Sequence, residues 1–240
     1  MFNIFYSETN VGKKRENNED YMITYSPKFG VHLYIVLDGI GGASLGEVAS
    51  KTAAEKVVEY FKDHYGETNV EDMLGLAVKY ANKCVYEMNK QNKVYKDMGT
   101  TISMLFVDGN EGYHISIGDT RIYEVLEDKL QQITEDDTYV NALVKDNIIT
   151  KEEATSHPER HVLLRAIGVT KSINFEVNKI ENILGRKYLL CTDGLTGTST
   201  DEEIYEKIKE SEKEKICTNL INMANEKGGH DNITVMYVEV

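Results

Sequence analysis

The sequence predicts an α+β fold in which antiparallel sheets are flanked by pairs of helices. Ten short apolar segments, several with alternating polar residues, predict strands, and longer segments with a 3.6-residue apolar repeat predict helices. The strands occur in clusters separated by helix pairs, not in strict βαβ alternation, which is typical of α+β proteins. A length of 240 residues lies within the range of one such domain, so we expect a single domain over 1–240.

The predicted strands follow the whole length of the chain. Each is rich in β-branched or aromatic residues and most are bounded by turn-forming residues. The segments are FNIFYSE (2–8), YMITYS (21–26), VHLYIVL (31–37), TTISMLFV (100–107), GYHISIG (112–118), RIYEVLE (121–127), KLQQIT (129–134), NFEVNKI (174–180), KYLLCT (187–192) and NITVMYVEV (232–240).

Two pairs of helices are predicted between these strands. Apolar residues repeat on one face over 45–64 and over 70–90, and a second pair is predicted near 201–209 and 213–226. The segment from Thr134 to Val169 is the least strand-like part of the chain. It predicts a helical insertion at about 140–168, and long insertions of this kind often lie over binding sites.

Composition excludes several classes of partner and location. The formal net charge of −13 argues against nucleic acid or an anionic membrane surface, because both attract basic faces. No apolar run approaches the roughly 20 residues of a membrane helix, and the N-terminus lacks a signal-peptide pattern, so we expect a cytoplasmic protein. Three widely spaced cysteines, Cys84, Cys191 and Cys217, predict reduced core residues.

Four aspartates lie at the ends of predicted strands, beside glycine or within a turn. They occur in YIVLDGIGGAS (Asp38), HISIGDTRIY (Asp119), KYLLCTDGLTG (Asp193) and GGHDNITVMYVEV (Asp231). Any one of them could be an ordinary turn or cap residue. Four carboxylates converging in a dry site would repel one another unless a cation neutralised them.

This pattern predicts a site for hard divalent cations. Mg²⁺ and Mn²⁺ prefer oxygen ligands, which Asp38, Asp193, Asp231 and the carbonyl of Gly39 can supply. Two such ions can activate a bridging water and stabilise the charge of an in-line displacement. Hydrolysis of a phosphate monoester is the natural reaction for this site, because its uncatalysed rate is among the slowest known.

Eight motifs, in order, give the chain a resemblance that runs nearly end to end. They are RENNED (15–20), DGIGG (38–42) with GEVAS (46–50), MGTT (98–101), IGDTRIY (117–123), ITEDDTYV (133–140), HPERHVLLRAIG (157–168), LLCTDGL (189–195) and DNITV (231–235). On these motifs the chain resembles the metal-dependent type 2C (PPM) protein serine/threonine phosphatases in their compact bacterial form.

The resemblance implies a four-layer αββα sandwich with two central antiparallel sheets and a binuclear metal site at one edge. It implies that Asp38 bridges both metals, that Gly39 offers its carbonyl, and that Asp193 and Asp231 bind the first metal. Either Glu19 or Asp20 serves the second metal, directly or through water. Asp119 resembles the ligand of a third, weaker metal. The expected cofactors are therefore two Mn²⁺ or Mg²⁺ ions per chain, with Asp119 able to add a third.

Other residues are given roles around this centre. Arg15 is the candidate catalytic phosphate clamp, because a guanidinium presents a planar fork to phosphate oxygens; pairing with Glu16 or Glu19 is its alternative. Asn232 is expected to fix the turn that aims Asp231. Thr100 and Thr101 are expected to be packing residues. The substrate-facing insertion, or flap, contributes His157, Arg160 and Arg165, although His157 before proline equally suits a turn.

Three positions depart from the family pattern. Gly197 stands where most members carry an acidic or amide residue, which puts full coordination of the third metal in doubt. Asp137 replaces a histidine in the turn before the flap, and we expect it not to position that turn as the histidine does. Ile40 stands where animal relatives have a proposed general acid, so protonation of the leaving group is expected to fall to a metal-bound water or to no dedicated residue.

The resemblance therefore implies a metal-dependent phosphoprotein phosphatase that opposes a bacterial eukaryote-like serine/threonine kinase. Its expected partners are phosphorylated proteins, including that kinase, with no nucleic acid and no membrane, and the expected state is a monomer. The alternative is a non-catalytic relative that binds metal or phosphoproteins. Other phosphatase and nucleotide-binding classes lack their motifs here: no Cys-x5-Arg, no Asp-x-Asp after a strand and no Gly-x-Gly-x-x-Gly.

Overall fold

A computed structural model describes residues 3–41, 45–91 and 98–240 of the chain. Twelve strands lie in these ranges, and every pairing between them is antiparallel. They are β1 (Ile4–Asn10), β2 (Tyr21–Lys28), β3 (Val31–Leu37), β4 (Gly39–Ile40), β5 (Gly99–Thr100), β6 (Ile102–Asp108), β7 (Glu111–Ile117), β8 (Arg121–Val125), β9 (Leu130–Gln132), β10 (Asn178–Glu181), β11 (Lys187–Cys191) and β12 (Ile233–Glu239).

Apart from one short helix, which was not predicted, the helices of the described residues match the predicted positions closely. The first pair is α1 (Leu45–His64) and α2 (Val70–Gln91), and the flap contains α3 (Tyr139–Lys145) and α4 (Lys151–Ser156). The short, unpredicted α5 (Asp193–Thr196) precedes α6 (Asp201–Glu210) and α7 (Ile216–Glu226), and a 3-10 turn over Lys213–Lys215 leads into α7. Thr150 and Thr200 begin α4 and α6 with capping boxes, in which each threonine accepts from the backbone of Glu153 or Glu203.

The strands form two five-stranded sheets that stack between the helix pairs. One sheet has the order β1-β12-β11-β8-β9 and the other β10-β7-β6-β3-β2, while β4 and β5 form a separate two-stranded ribbon. Helices α1 and α2 cover the second sheet, and α5, α6 and α7 cover the first. A third apolar cluster fills the space between the sheets. The predicted four-layer αββα arrangement is confirmed.

Strand β3 shows why the central segments are apolar throughout. Leu33, Ile35 and Leu37 pack against the α1 and α2 layer, whereas Tyr34 and Val36 face the other sheet. Successive side chains of a strand point to opposite faces, and both faces of this strand are buried. A continuous apolar run is therefore required, and burying each such side chain contributes roughly 1.5–3 kcal/mol.

Several strands differ from the predicted segments, β1 (Ile4–Asn10) by two residues at each end. The segment 100–107 is divided into β5 and β6 because Thr101 binds the backbone of Asp38 instead of continuing the ladder. Strand β10 covers only the last part of 174–180, and the two-residue β4 was not predicted. Phe2 of the segment 2–8 and Gly42 of the DGIGG motif lie outside the described residues.

The three cysteines can be compared with the prediction of reduced core residues. Cys84, Cys191 and Cys217 are all free, which confirms reduced thiols, but only Cys191 and Cys217 are buried, while Cys84 is half-buried. Within the described part of the chain, no helix combines the length and the apolar character that crossing a bilayer requires.

His114 on β7 is a buried titratable group with an unpartnered Nδ1 atom. Burial lowers the pKa of His114 to about 4. The unfolded chain therefore takes up a proton below pH 6.5 that the folded protein resists until about pH 4, so stability falls as pH falls through this window.

We expect wild-type protein to lose about 2 kcal/mol of unfolding free energy through this group between pH 7 and pH 5. Urea unfolding at both pH values measures it. His114→Leu should remove most of that loss, whereas the control His64→Leu, on the exposed surface of α1, should retain it. An equal pH dependence in wild type and His114→Leu would contradict the assignment.

Candidate active site

Asp38 follows β3 directly, and two threonines hold its backbone. The backbone N–H of Asp38 donates to Thr101 Oγ1 at 2.9 Å, and Thr100 Oγ1 donates to the Asp38 carbonyl at 2.8 Å. Both threonines are fully buried. Thr100 and Thr101 were predicted to be packing residues, and the structure shows that they also position the backbone of the central aspartate.

The glycines after Asp38 allow two backbone segments to touch. A Cβ atom on Gly39 would lie 2.2 Å from the Gly46 carbonyl oxygen and 2.6 Å from that of Glu19. The Gly39 N–H donates to the same Glu19 carbonyl at 3.1 Å. Only glycine fits such an approach. This contact brings the first turn of α1 and the loop carrying Glu19 against the end of β3.

Gly194 likewise allows a close contact between two backbone segments, here at the other sheet. A Cβ atom there would lie 1.9 Å from the carbonyl oxygen of Asn232, so the turn after β11 rests on the entrance to β12. Asp193 and Asp231 are thereby brought to one place from strands β11 and β12, which pair with each other. The predicted convergence of acidic strand ends has a backbone cause.

Asn232 links this turn to the N-terminal loop. Its side chain is almost fully buried, its Oδ1 accepts from the Glu19 N–H at 2.8 Å, and its Nδ2 donates to the carbonyls of Val11 and Asn17, both at 2.9 Å. The Asn232 N–H itself donates to Asp231 Oδ1 at 2.9 Å. These contacts support the expected role of Asn232 in orienting Asp231.

Asp20 is the most buried acid of the group. Thr192 Oγ1 donates to Asp20 Oδ2 at 2.8 Å, and Thr234 lies beside the same carboxyl. Burial, opposed by these two threonines and reinforced by the charges of Asp193 and Asp231, raises the pKa of Asp20 to about 7. Thr192 and Thr234, which sequence reasoning missed, are adjacent across β11 and β12 and hold this carboxyl between them.

The other acids of the site disfavour their own ionisation as well. Burial raises the pKa of Asp38 well above its usual range, and the charges of Asp20, Asp193 and Asp119 raise it further. Burial, with the charge of Asp231, raises the pKa of Asp193. Each carboxylate therefore lies within the electrostatic reach of the others, which is the condition that a cation relieves.

One acid of the site has a cationic partner. Arg15 Nη2 donates to Asp231 Oδ2 at 2.8 Å. Arg15 therefore pairs with Asp231, and neither of the acids named as its alternative partners takes this contact. Among the described residues, no three His, Cys, Asp or Glu side chains form a group that could hold a metal ion as they stand.

Two oxygen atoms nevertheless fit a cation site. Asp20 Oδ1 and Asp193 Oδ1 are buried and have no hydrogen-bond partner. A buried carboxylate oxygen without a donor is costly unless a cation or water satisfies it. The donor set around them is entirely oxygen, which suits Mg²⁺ or Mn²⁺. The residues present therefore fit the expected metal, although their ligand roles stay predictions.

Glu19 and Asp119 are two further acids near this group. The Glu19 carboxyl lies against Gly46 at the first turn of α1, and burial raises its pKa. Burial, with the charges of Asp193 and Asp136, raises the pKa of Asp119 to about 7. Asp119 thus lies close to Asp193, on the side that faces the flap.

A cavity of about 680 Å³ separates the metal-site acids from the flap. Asp119 and Asp193 line it from the core, while Arg160 and His161 line it from the flap. The predicted flap residue Arg160 therefore reaches this space. His161 was not predicted, yet its Nδ1 lies 3.8 Å from Asp193 Oδ2, and its position in HPERH was the only available signal.

The two other predicted flap residues have local partners. His157 ends α4, and its Nδ1 accepts from the Glu159 N–H at 3.1 Å, as a turn residue would. Arg165 donates to the carbonyl of Asn174 at 2.8 Å and forms an ion pair with Asp137. Arg165 thus joins the end of the flap to the turn at its start.

The expectation for Asp137 is wrong. Its Oδ2 accepts from the Gly118 N–H at 3.2 Å while its Oδ1 pairs with Arg165, so it ties the turn before the flap to the residue preceding Asp119. A carboxylate accepts two donors at once, which is enough to position this turn without a histidine.

Comparison with known proteins identifies the family. The family model described as protein phosphatase 2C matches residues 11–234. The chain belongs to the protein phosphatase 2C family. Every acid of the site, Arg15 and the flap lie inside the matched range.

Two curated relatives are named protein phosphatases. Serine/threonine protein phosphatase PstP of Mycobacterium tuberculosis is 34% identical over 229 residues, which cover 95% of this chain but 43% of the relative. The present phosphatase 2C domain thus spans less than half of PstP. Protein phosphatase PhpP of Streptococcus pneumoniae is 32% identical over 236 residues, covering 97% of this chain and 95% of PhpP.

Solved structures agree with the four-layer fold. A crystal structure of M. tuberculosis PstP superposes with a TM-score of 0.90 at 33% identity and covers 99% of this chain and 98% of that one. The catalytic domain of PstP in complex with two manganese ions gives a TM-score of 0.86 at 31% identity, covering 99% and 97%.

Proposed function

We propose that this phosphatase 2C chain hydrolyses phosphoserine and phosphothreonine monoesters on proteins, as one catalytic domain with the flap as an insertion. The observation that carries the proposal is the group of mutually repelling carboxyls, Asp20, Asp38, Asp193 and Asp231, brought together by close backbone contacts. Relatives named serine/threonine protein phosphatases support the substrate class.

Asp38 is the central ligand in this proposal, with Asp193 and Asp231 on one side and Asp20 or Glu19 on the other. Gly39 offers its carbonyl, and Asp119 offers a carboxylate toward the flap. When bound, a pair of Mn²⁺ or Mg²⁺ ions supplies an activated water and neutralises charge on the phosphoryl group. Gly197 adds no ligand beside Asp193, which leaves Asp119 as the main acid for a third ion.

Arg15 orients the phosphate in the proposed reaction. Its guanidinium already reaches the site through Asp231, and half of its side chain stays exposed. Release of Asp231 to a cation would free both Nη atoms for phosphate oxygens, a bidentate geometry that lysine lacks. Ile40 carries no proton, so the leaving oxygen takes its proton from solvent or water in the site.

The cellular context is part of the proposal. Phosphorylated proteins, including a serine/threonine kinase, are the proposed partners, and the proposed setting is a cytoplasmic monomer without nucleic acid or membrane. The net charge of −13 supports the exclusion of nucleic acid. A non-catalytic binding role has no supporting observation, because Arg15 and all the core acids are present.

Release of phosphate from a phosphothreonine peptide, measured with and without Mn²⁺, tests the proposal. We expect turnover that requires the cation and stops with EDTA. Absence of turnover at millimolar Mn²⁺, in protein shown by circular dichroism to be folded, would contradict the enzyme and leave the binding role.

A further inference from the structure

The cavity beside the proposed metal site has a basic wall on the side of the flap. The flap contributes Lys151, at the first turn of α4, and Arg160, which follows that helix. Facing them across the cavity are Asp119 and Asp193. A volume of about 680 Å³ is enough for several side chains of a peptide in addition to one phosphoryl group.

Four of the charged side chains around the cavity pair with one another. Lys145 Nζ lies 2.7 Å from Glu135 Oε1, and Arg121 Nη2 lies 2.7 Å from Asp136 Oδ2. These pairs cancel within the wall. Across the described ranges, neither Lys151 nor Arg160 takes part in a side-chain ion pair. The flap wall therefore presents two uncompensated positive charges to the cavity.

The core wall has no side chain at Gly197. Gly197 lies in the lining, and its N–H donates to the Asp193 carbonyl at 2.6 Å, so the position carries backbone only. Asp119 and Asp193 belong to the proposed metal site, whose ions would offset their charge.

We propose that this cavity binds an acidic side chain of the phosphorylated substrate, a carboxylate or a second phosphate close in sequence to the reacting residue. Lys151 and Arg160 contact that acidic group, and Gly197 leaves room for it. The inference rests on the proposed phosphatase activity and adds a preference among its substrates. Two basic residues at the cavity would thus let a protein with a net charge of −13 select acidic peptides.

Peptides that differ only beside the phosphothreonine test the subsite. Each peptide has one substituted position, either directly before or directly after the phosphothreonine. That position carries glutamate in the first series, phosphoserine in the second and alanine in the third. With Mn²⁺ present, we expect kcat/KM for the better acidic peptide to exceed that for alanine by about fivefold, and the preference to shrink as salt rises.

Charge reversal supplies the decisive variants. Lys151→Glu and Arg160→Glu should each abolish the acidic preference and favour a lysine-containing peptide, whereas the matched control Lys171→Glu, on an exposed residue outside the lining, should keep the wild-type ratio. Fluorescence anisotropy of a labelled, unphosphorylated glutamate peptide gives a readout apart from turnover. Its affinity should fall in Lys151→Glu and stay unchanged in Lys171→Glu.

The outcomes separate the two proposals. Hydrolysis of p-nitrophenyl phosphate without any peptide preference overturns the subsite and leaves the phosphatase intact. Failure of wild-type protein to hydrolyse p-nitrophenyl phosphate overturns the phosphatase itself. A preference that survives both Lys151→Glu and Arg160→Glu places the acidic recognition elsewhere and also overturns the subsite. Selectivity between the glutamate and phosphoserine peptides identifies which acidic group it takes.

Discussion

Asp38→Asn is expected to lower Mn²⁺-dependent kcat/KM for p-nitrophenyl phosphate by about a thousandfold, because a central charged ligand is worth several kcal/mol in the transition state. The same substitution should raise the melting temperature of protein kept in EDTA. Asp38 is buried among Asp20, Asp193, Asp119 and Asp231, and removing one charge relieves that repulsion.

Two measurements make this result specific. Mn²⁺ should raise the melting temperature of wild-type protein and have little effect on Asp38→Asn, because binding to the folded state stabilises it. The control Asp128→Asn, at an exposed position between β8 and β9, should match wild type in activity and in both melting experiments. Destabilisation of Asp38→Asn in EDTA would show that Asp38 is a structural turn residue.

The layers of the fold were predictable because their causes are local. Alternation along β3 and the helical repeat over α1 each arise from neighbours in sequence, and α1 begins and ends where the pattern does. Strand bounds were less predictable where a distant residue intervenes. Thr101 interrupts the strand it belongs to because its hydroxyl and N–H both bind Asp38, 63 positions away.

The acids of the site could be found from sequence, whereas the groups that hold them could not. An aspartate at the end of an apolar strand is visible as a pattern, but the partners of Asp20 are Thr192 and Thr234, which look like ordinary strand residues. Their effect depends on which strands become neighbours. The expectation for Asp137 was wrong for a similar reason, because its partners Gly118 and Arg165 come from two separate segments.

Asn232→Ala is expected to cause the second large effect, and its first readout is stability. The variant leaves the Glu19 N–H and the carbonyls of Val11 and Asn17 without their side-chain partner. A buried group left without a hydrogen-bond partner destabilises the fold by about 1–3 kcal/mol. Asn17 is exposed, so its carbonyl can accept from water in the variant. A loss of roughly 3 kcal/mol in urea unfolding is therefore expected.

The second readout is the cation dependence of activity. Asn232 fixes the loop that carries Glu19 and the turn that carries Asp231, so its loss should raise the Mn²⁺ concentration for half-maximal activity by about 10- to 100-fold. Asn219→Ala, which removes a single hydrogen bond to Ser211 on the far side of α7, should change stability by about 1 kcal/mol and leave the Mn²⁺ dependence unchanged. Equal Mn²⁺ dependence in both variants would mean that Asn232 supports the fold alone, because a positioning residue must alter the affinity of the site as well as its stability.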